Sequence, residues 1–316
     1  MKSLCIALGL FAALGSARAP ADSWQPSPGH TQVPIWPGAI PDPHPVAGAE
    51  AAVARPDHLV AGKPWIWVER VSQPTMTVYT PAGTNTGVAV VVFPGGGYKG
   101  LAIDLEGTEV CDWLTAKGIT CVLLKYRVPY SGPYWDDRCK CHVHPAPMAL
   151  QDAQRTVGLV RHHAAEWQID PHKIGVMGFS AGGHNVSAIS THFGRRLYPA
   201  ADAADRESCR PDFAVAVYPG HLSLAENSIA LNPDIRTHIT ADTPPTFLLQ
   251  NEDDDSDRIE DSLSYYVGLK RAGVPVEMHT YAQGGHGFGL RRTKFPVTAW
   301  PHLVETWLGT IGMIEG

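Results

Sequence analysis

Apolar positions along the chain fall into short blocks separated by longer amphipathic stretches. Met76-Thr77-Val78-Tyr79 alternates with the two-residue period of a strand, whereas Val88 to Phe93 is an unbroken, largely β-branched run suited to a strand buried on both faces. Thr120–Lys125, Lys173–Gly178, Phe213–Tyr218, Thr246–Gln250 and Val276–Tyr281 read as further strands. Between them the period lengthens. Thr108–Lys117 reads as a helix ended by Gly118, and Met148–Trp167 as a long amphipathic helix closed by Asp170-Pro171. Helices over Ala181–His192, Arg258–Arg271 and Trp300–Leu308 complete the series. Strands alternating with helices predict an α/β chain with a mostly parallel central sheet covered on both faces, forming one domain over residues 65–316. In such sheets reactive groups collect in loops at the carboxyl ends of the strands.

The N-terminal part breaks this pattern. Leu4 to Leu14 is apolar and is followed by Gly15-Ser16-Ala17-Arg18-Ala19-Pro20-Ala21, so residues 1–21 read as a secretory signal peptide, too short to span a bilayer. Pro20 disfavours cleavage after Ala19 and favours Ala17 or Ala21; a buried N-terminal helix is the competing reading. Residues 22–64, rich in Pro, Gly and Ala, show no period and are expected to wrap the domain as an extended arm. The expected location is secreted or periplasmic.

Apolar residues make up 44% of the chain and charged residues 18%, which favours a packed core over disorder. Loss of Lys2 and Arg18 with the signal would move the net charge from -6 to -8, and no basic run remains, so nucleic-acid and anionic-membrane roles are disfavoured. Cys5 would leave as well. Of the five remaining cysteines, Cys209 is expected to pair with Cys139 or Cys141, with Cys111 and Cys121 as inert buried thiols.

Gly178-Phe179-Ser180-Ala181-Gly182 lies between a strand and a helix, where small flanking residues permit the sharp turn that lifts a serine hydroxyl clear of a sheet. Such a hydroxyl needs a base, and the base needs a group that holds its tautomer. Downstream, His286 sits among glycines after one strand, and the acidic cluster Glu252, Asp253, Asp254, Asp255 and Asp257 follows another. Asp254 is the expected partner, with Asp253 and Asp255 pointing elsewhere and a one-place slip to Asp255 as the alternative. Oxyanion donors are expected from the amides of Ala181 and of Gly96 or Gly97 in Pro94-Gly95-Gly96-Gly97-Tyr98, a loop similar to the His-Gly-Gly-Gly loop of lipases. A calcium loop fits poorly, because counting from Asp253 puts Arg258 and Ser264 where Gly and Glu are needed. Cys139-Lys140-Cys141-His142-Val143-His144 lacks the spacing of usual zinc sites, so neither a metal nor a cofactor is expected. Tyr98, Trp135, His184, Tyr218 and His221 are candidate pocket residues.

Phe93–Tyr98, Leu124–Arg127, His144–Arg155, Val176–His184, Arg210–Pro219 and Val274–Leu290 together resemble the α/β-hydrolases that act as acetyl-xylan esterases or bifunctional xylan and feruloyl esterases. The resemblance implies cofactor-free hydrolysis of short-chain acyl (acetyl) or feruloyl esters of plant polysaccharide, with nucleophile, acid and base at Ser180, Asp254 and His286. The loop Arg127–Pro145 departs from the pattern. Two rivals remain at this point: a serine peptidase of the prolyl-oligopeptidase type, which needs a gating domain this chain has no room for, and a non-catalytic carbohydrate-binding protein on a hydrolase fold.

Overall fold

The unbroken apolar runs lie where both faces of a sheet are covered. Every residue of β3 (Ala89–Phe93), β4 (Thr120–Lys125), β5 (Ile174–Phe179), β6 (Ala214–Val217) and β7 (Thr246–Asn251) is buried. The edge strand β8 (Val276–Tyr281) is only half-buried. β1 (Gln32–Pro34) and β2 (Thr75–Tyr79) complete the sheet, whose spatial order is β1-β2-β4-β3-β5-β6-β7-β8, with β2 alone running opposite to the other strands. This computed structural model describes residues 23–43, 46–129, 135–136, 141–142, 147–225 and 227–315.

From β3 the chain crosses to β4 on one side, then returns past β3 to β5 on the other. Right-handed crossovers therefore place α1 (Glu109–Ala116) on one face of the sheet, and α2 (Pro147–His162), α3 (Ala181–His192) and α4 (Ile259–Arg271) on the opposite face. α5 (Trp300–Thr310) joins α1, since the Trp113 indole donates to Glu305 at 2.9 Å and packs on Trp300. Element types follow the sequence reading closely. The longest helix ends earlier than Trp167, the chain continuing in turns after His162.

The segment expected to be an aperiodic arm supplies edge structure. Gln32–Pro34 pairs with β2, and Ala51–Ala54 belongs to a three-stranded antiparallel sheet with Ile66–Glu69 and Gly100–Ala102. Prolines and glycines hide these short strands from any periodicity test. Buried Arg155 and Arg127 hold the segment down: Arg155 Nε donates to the Ile35 carbonyl at 2.8 Å and Arg127 Nη1 to that of Pro41 at 2.6 Å. Arg127 also pairs with buried Asp152, which accepts from the Trp36 indole. The resemblance around Leu124–Arg127 and His144–Arg155 thus includes residues that anchor the N-terminal segment.

The expected cysteine pairing is corrected. Cys111 on α1 bonds Cys121 on β4, with Cα atoms 5.1 Å apart, and Cys209 is a buried free thiol. A helix that turns straight back into the neighbouring strand brings these two positions together, a closeness that ten residues of separation do not reveal. Cys139 lies outside the described residues. Cys141 and His142 are described only as backbone, pairing with Trp135 and Asp136 in a two-stranded ladder.

Candidate active site

β3 and β5 are the adjacent strands at which the chain reverses its direction across the sheet, and such a switch point opens a crevice at the strand ends. The Gly95–Gly97 loop leaves β3 there, and Ser180 follows β5. Ser180 has φ +53° and ψ −122°, strained for a residue with a side chain. The turn admits only glycine at its flanks. A Cβ at Gly178 would lie 2.2 Å from the Gly182 carbonyl oxygen, and one at Gly182 would lie 2.0 Å from that of Phe93.

Ser180 opens into a cleft of about 920 Å³ shared with Gly96, Gly97, Tyr98, Glu106, Asp257 and His286. Gly95 has its amide committed to Glu106 Oε2 at 2.8 Å. Among the described residues the amides of Gly96, Gly97 and Ala181 have no protein acceptor, and Ala181 opens α3.

His286 Nδ1 meets Asp254 Oδ2 at 2.7 Å. Asp254 is held from several sides: its Oδ1 accepts from the amides of Ser256 and Asp257, and its Oδ2 from Gln250 Nε2 at 3.0 Å. Asp253 instead accepts from the amides of Gly284 and Gly285, shaping the histidine loop, and Asp255 lines the cleft. On the other side of the imidazole stands a carboxylate that sequence reasoning left undistinguished in its acidic cluster. Asp257 Oδ2 accepts from Ser180 Oγ at 2.9 Å and lies 3.8 Å from His286 Nε2. The serine hydroxyl is therefore turned to Asp257 rather than to the imidazole.

Burial works against an imidazolium at His286. The hydrogen bond and charge of Asp254, joined by the charges of Asp257 and Glu106, outweigh it and raise the pKa. Burial raises the pKa of Asp257, with the charges of His286 and His221 opposing. Burial likewise raises Glu106, against the opposing charge of His286 and hydrogen bonds from Tyr218 and Gly95.

Glu106 was missed by the sequence reading. Its oxygens accept from Gly95 N and from the Tyr218 hydroxyl at 2.8 Å, and that hydroxyl accepts from Gly289 N. One buried carboxylate thus ties the glycine loop to the histidine loop, and in the sequence nothing distinguishes it from its acidic neighbours Asp104 and Glu109. Of the candidate pocket residues, Tyr98 and His221 reach the cleft. His184 and Tyr218 are corrected to supporting positions: both are buried, His184 bonding the Tyr98 hydroxyl at 2.9 Å and Tyr218 packing under His286 at 4.8 Å between ring centres. The Trp135 side chain lies outside the described residues. Tyr98, Ser180, Tyr218 and His221 all have positive φ, so strained backbone lies at and beneath the cleft.

One group of described residues could hold a metal ion. His192, Asp234 and His238 place ligand atoms within 4.8 Å of one another at the far end of α3, about 18 Å from Ser180 at 1.5 Å per helical residue. The Cys139–His144 stretch, considered and disfavoured as a zinc site, lies for the most part outside the described residues.

The strand order, the strained serine and the histidine–carboxylate pair define the α/β-hydrolase fold. A profile of the BD-FAE family matches residues 76–218. An acetylxylan esterase of Xylanibacter ruminicola is 30% identical over 228 residues, covering 68% of this chain and 44% of that protein. Endo-1,4-beta-xylanase B of Butyrivibrio fibrisolvens is 26% identical, covering 65% of this chain and 33% of that protein, so the chain spans less than half of either relative. Among solved structures, the acetyl ester-xyloside bifunctional hydrolase of Caldicellulosiruptor lactoaceticus matches with TM-score 0.68 and 32% identity, over 90% of this chain and 97% of that one. Thermogutta terrifontis esterase 2, at 22% identity and TM-score 0.63 over 84% of this chain and 96% of that one, shares the fold. The chain belongs to the α/β-hydrolases of the acetyl-xylan esterase type.

Proposed function

We propose that the protein is a serine carboxyl-ester hydrolase acting on short-chain acyl or feruloyl esters of plant polysaccharide. The observation that carries this reading is the strained Ser180 beside the His286–Asp254 pair, with unengaged amides on both sides. When an ester enters, the serine hydroxyl turns from Asp257 to His286 Nε2, which takes its proton as Oγ attacks the carbonyl. Asp254 keeps Nδ1 protonated and supports the imidazolium. The amides of Ala181 and of Gly96 or Gly97 receive the oxyanion, at a worth of about 3 kcal/mol per donor. His286 then protonates the leaving alcohol, and water attacks the acyl-enzyme by the same route. The names of the relatives support xylan-type esters as the substrate.

Export to a secreted or periplasmic location is part of the proposal. The signal-like residues 1–21 and the Cys111–Cys121 disulfide support it, since such bonds persist in oxidising compartments. Among the described residues no helix is long and apolar enough to cross a membrane.

A p-nitrophenyl ester series tests the chemistry. Rates are expected to fall from acetyl to octanoyl, and a fluorophosphonate is expected to label the native enzyme but not Ser180→Ala. Labelling of the variant would move the nucleophile elsewhere; a rate maximum at long chains would indicate a lipase-like acyl site.

A further inference from the structure

We propose that Trp65 and Trp67 form a glycosyl-binding wall in the cleft, stacking a pyranose ring of the substrate on its alcohol side; the idea rests on the esterase reading above. Trp67 lies on the strand Ile66–Glu69, Trp65 directly precedes it with its carbonyl accepting from Arg55 N at 2.8 Å, and both line the cleft that holds Ser180 and His286. Their rings meet edge to face with centroids 6.0 Å apart, and the Arg55 guanidinium lies over both, at 5.7 and 5.9 Å. Neither is fully buried, although large aromatic side chains bury well in a core.

The wall continues at the rim into Leu59, an exposed large apolar side chain at 55% of its free area. The turn that carries this rim is fixed in place. Val60 and Lys63 exchange backbone hydrogen bonds, and Arg291, itself paired with Glu109, donates to the Lys63 carbonyl at 2.8 Å. A partly exposed aromatic surface on an anchored segment beside Ser180 is pre-organised for a flat ligand.

A pyranose matches that surface because its C–H face is apolar, and Arg55, which is not among the cleft's lining residues, supports the rings by cation–π contact. Trp67 couples the wall to the chemistry. A Cβ at Gly100 would lie 2.3 Å from its ring and one at Gly96 would lie 2.9 Å away, so the indole sits directly on the loop that offers the oxyanion amides. A sugar seated on this wall is thereby held against the support of the oxyanion loop.

Steady-state kinetics of Trp65→Ala and Trp65→Phe, with folding checked by circular dichroism, test the wall on acetylated xylo-oligosaccharides, p-nitrophenyl acetate and methyl ferulate. For Trp65→Ala, kcat/KM on the oligosaccharides is expected to fall about tenfold further than on p-nitrophenyl acetate, mainly through KM, with Phe recovering most of the loss. An equal fall on both acetyl esters would overturn the wall and leave the esterase reading standing. A loss confined to methyl ferulate would also overturn it, by placing the aromatic surface on the acyl side. Failure of the native enzyme on all three esters would sink the esterase reading and the wall together.

Discussion

The serine turn and the acidic loop contribute to the same site under opposite kinds of control. At Gly178–Gly182 the geometry is dictated locally and sterically, since backbone oxygens stand 2.0–2.2 Å from where side chains would begin. At Glu252–Arg258 nothing steric selects among the acids. Asp254 and Asp257 are three residues apart, and both reach His286, one at Nδ1 and one toward Nε2. What separates them is their hydrogen bonding: Asp254 accepts from two loop amides and from Gln250, whose own carbonyl oxygen accepts from Ser262. The Asp257 carboxylate accepts a hydrogen bond from the serine hydroxyl and otherwise faces His286 Nε2 at 3.8 Å. A carboxylate held by three donors besides the imidazole can fix a tautomer, whereas one that accepts from Ser180 must, on the proposed mechanism, release it before reaction.

Exchanging the roles of the two acids gives the largest effect. Asp254→Asn is expected to lower kcat on the order of 10⁴-fold, through an imidazole in the wrong tautomer. If Asp257→Asn produced the larger loss instead, the distinction drawn from their hydrogen bonds would be wrong. The serine turn is sharpened by Gly182→Ala, which forces a methyl group onto the Phe93 carbonyl and is expected to cost about 3 kcal/mol of stability in chemical denaturation. A loss below about 0.5 kcal/mol, the range of ordinary surface changes, would mean the turn is not sterically determined.

The smallest effect concerns pH. His286 is raised chiefly by Asp254 against burial, with Asp257 adding to the rise. On the proposed mechanism His286 acts only when neutral, so the acid limb of kcat/KM should lie above the ordinary histidine value of about 6.5. Removing the negative charge of Asp257 destabilises the imidazolium, lowers that pKa and moves the limb to lower pH, with kcat changed by about tenfold at most. A pH–rate profile of Asp257→Asn whose limb stays in place or moves upward would show that Asp257 does not act on the imidazole.

The amino-acid sequence by itself determined the alternation of buried strands and amphipathic helices, because burial on both faces of a parallel sheet demands continuous apolar runs. It also determined the serine turn, because glycine at fixed spacing has a steric cause that is local in the chain. His286 was legible from its place after the last strand of the sheet. Tertiary structure alone decided the rest. Glu106 acts between Gly95 and Tyr218, which lie 11 and 112 residues from it. Cys111 and Cys121 meet because a helix folds back along its strand, and Trp65 reaches the cleft because a segment without period pairs at a sheet edge. In each case the determining contact joins residues whose proximity depends on the topology of the sheet, and such contacts leave no periodic trace in the chain.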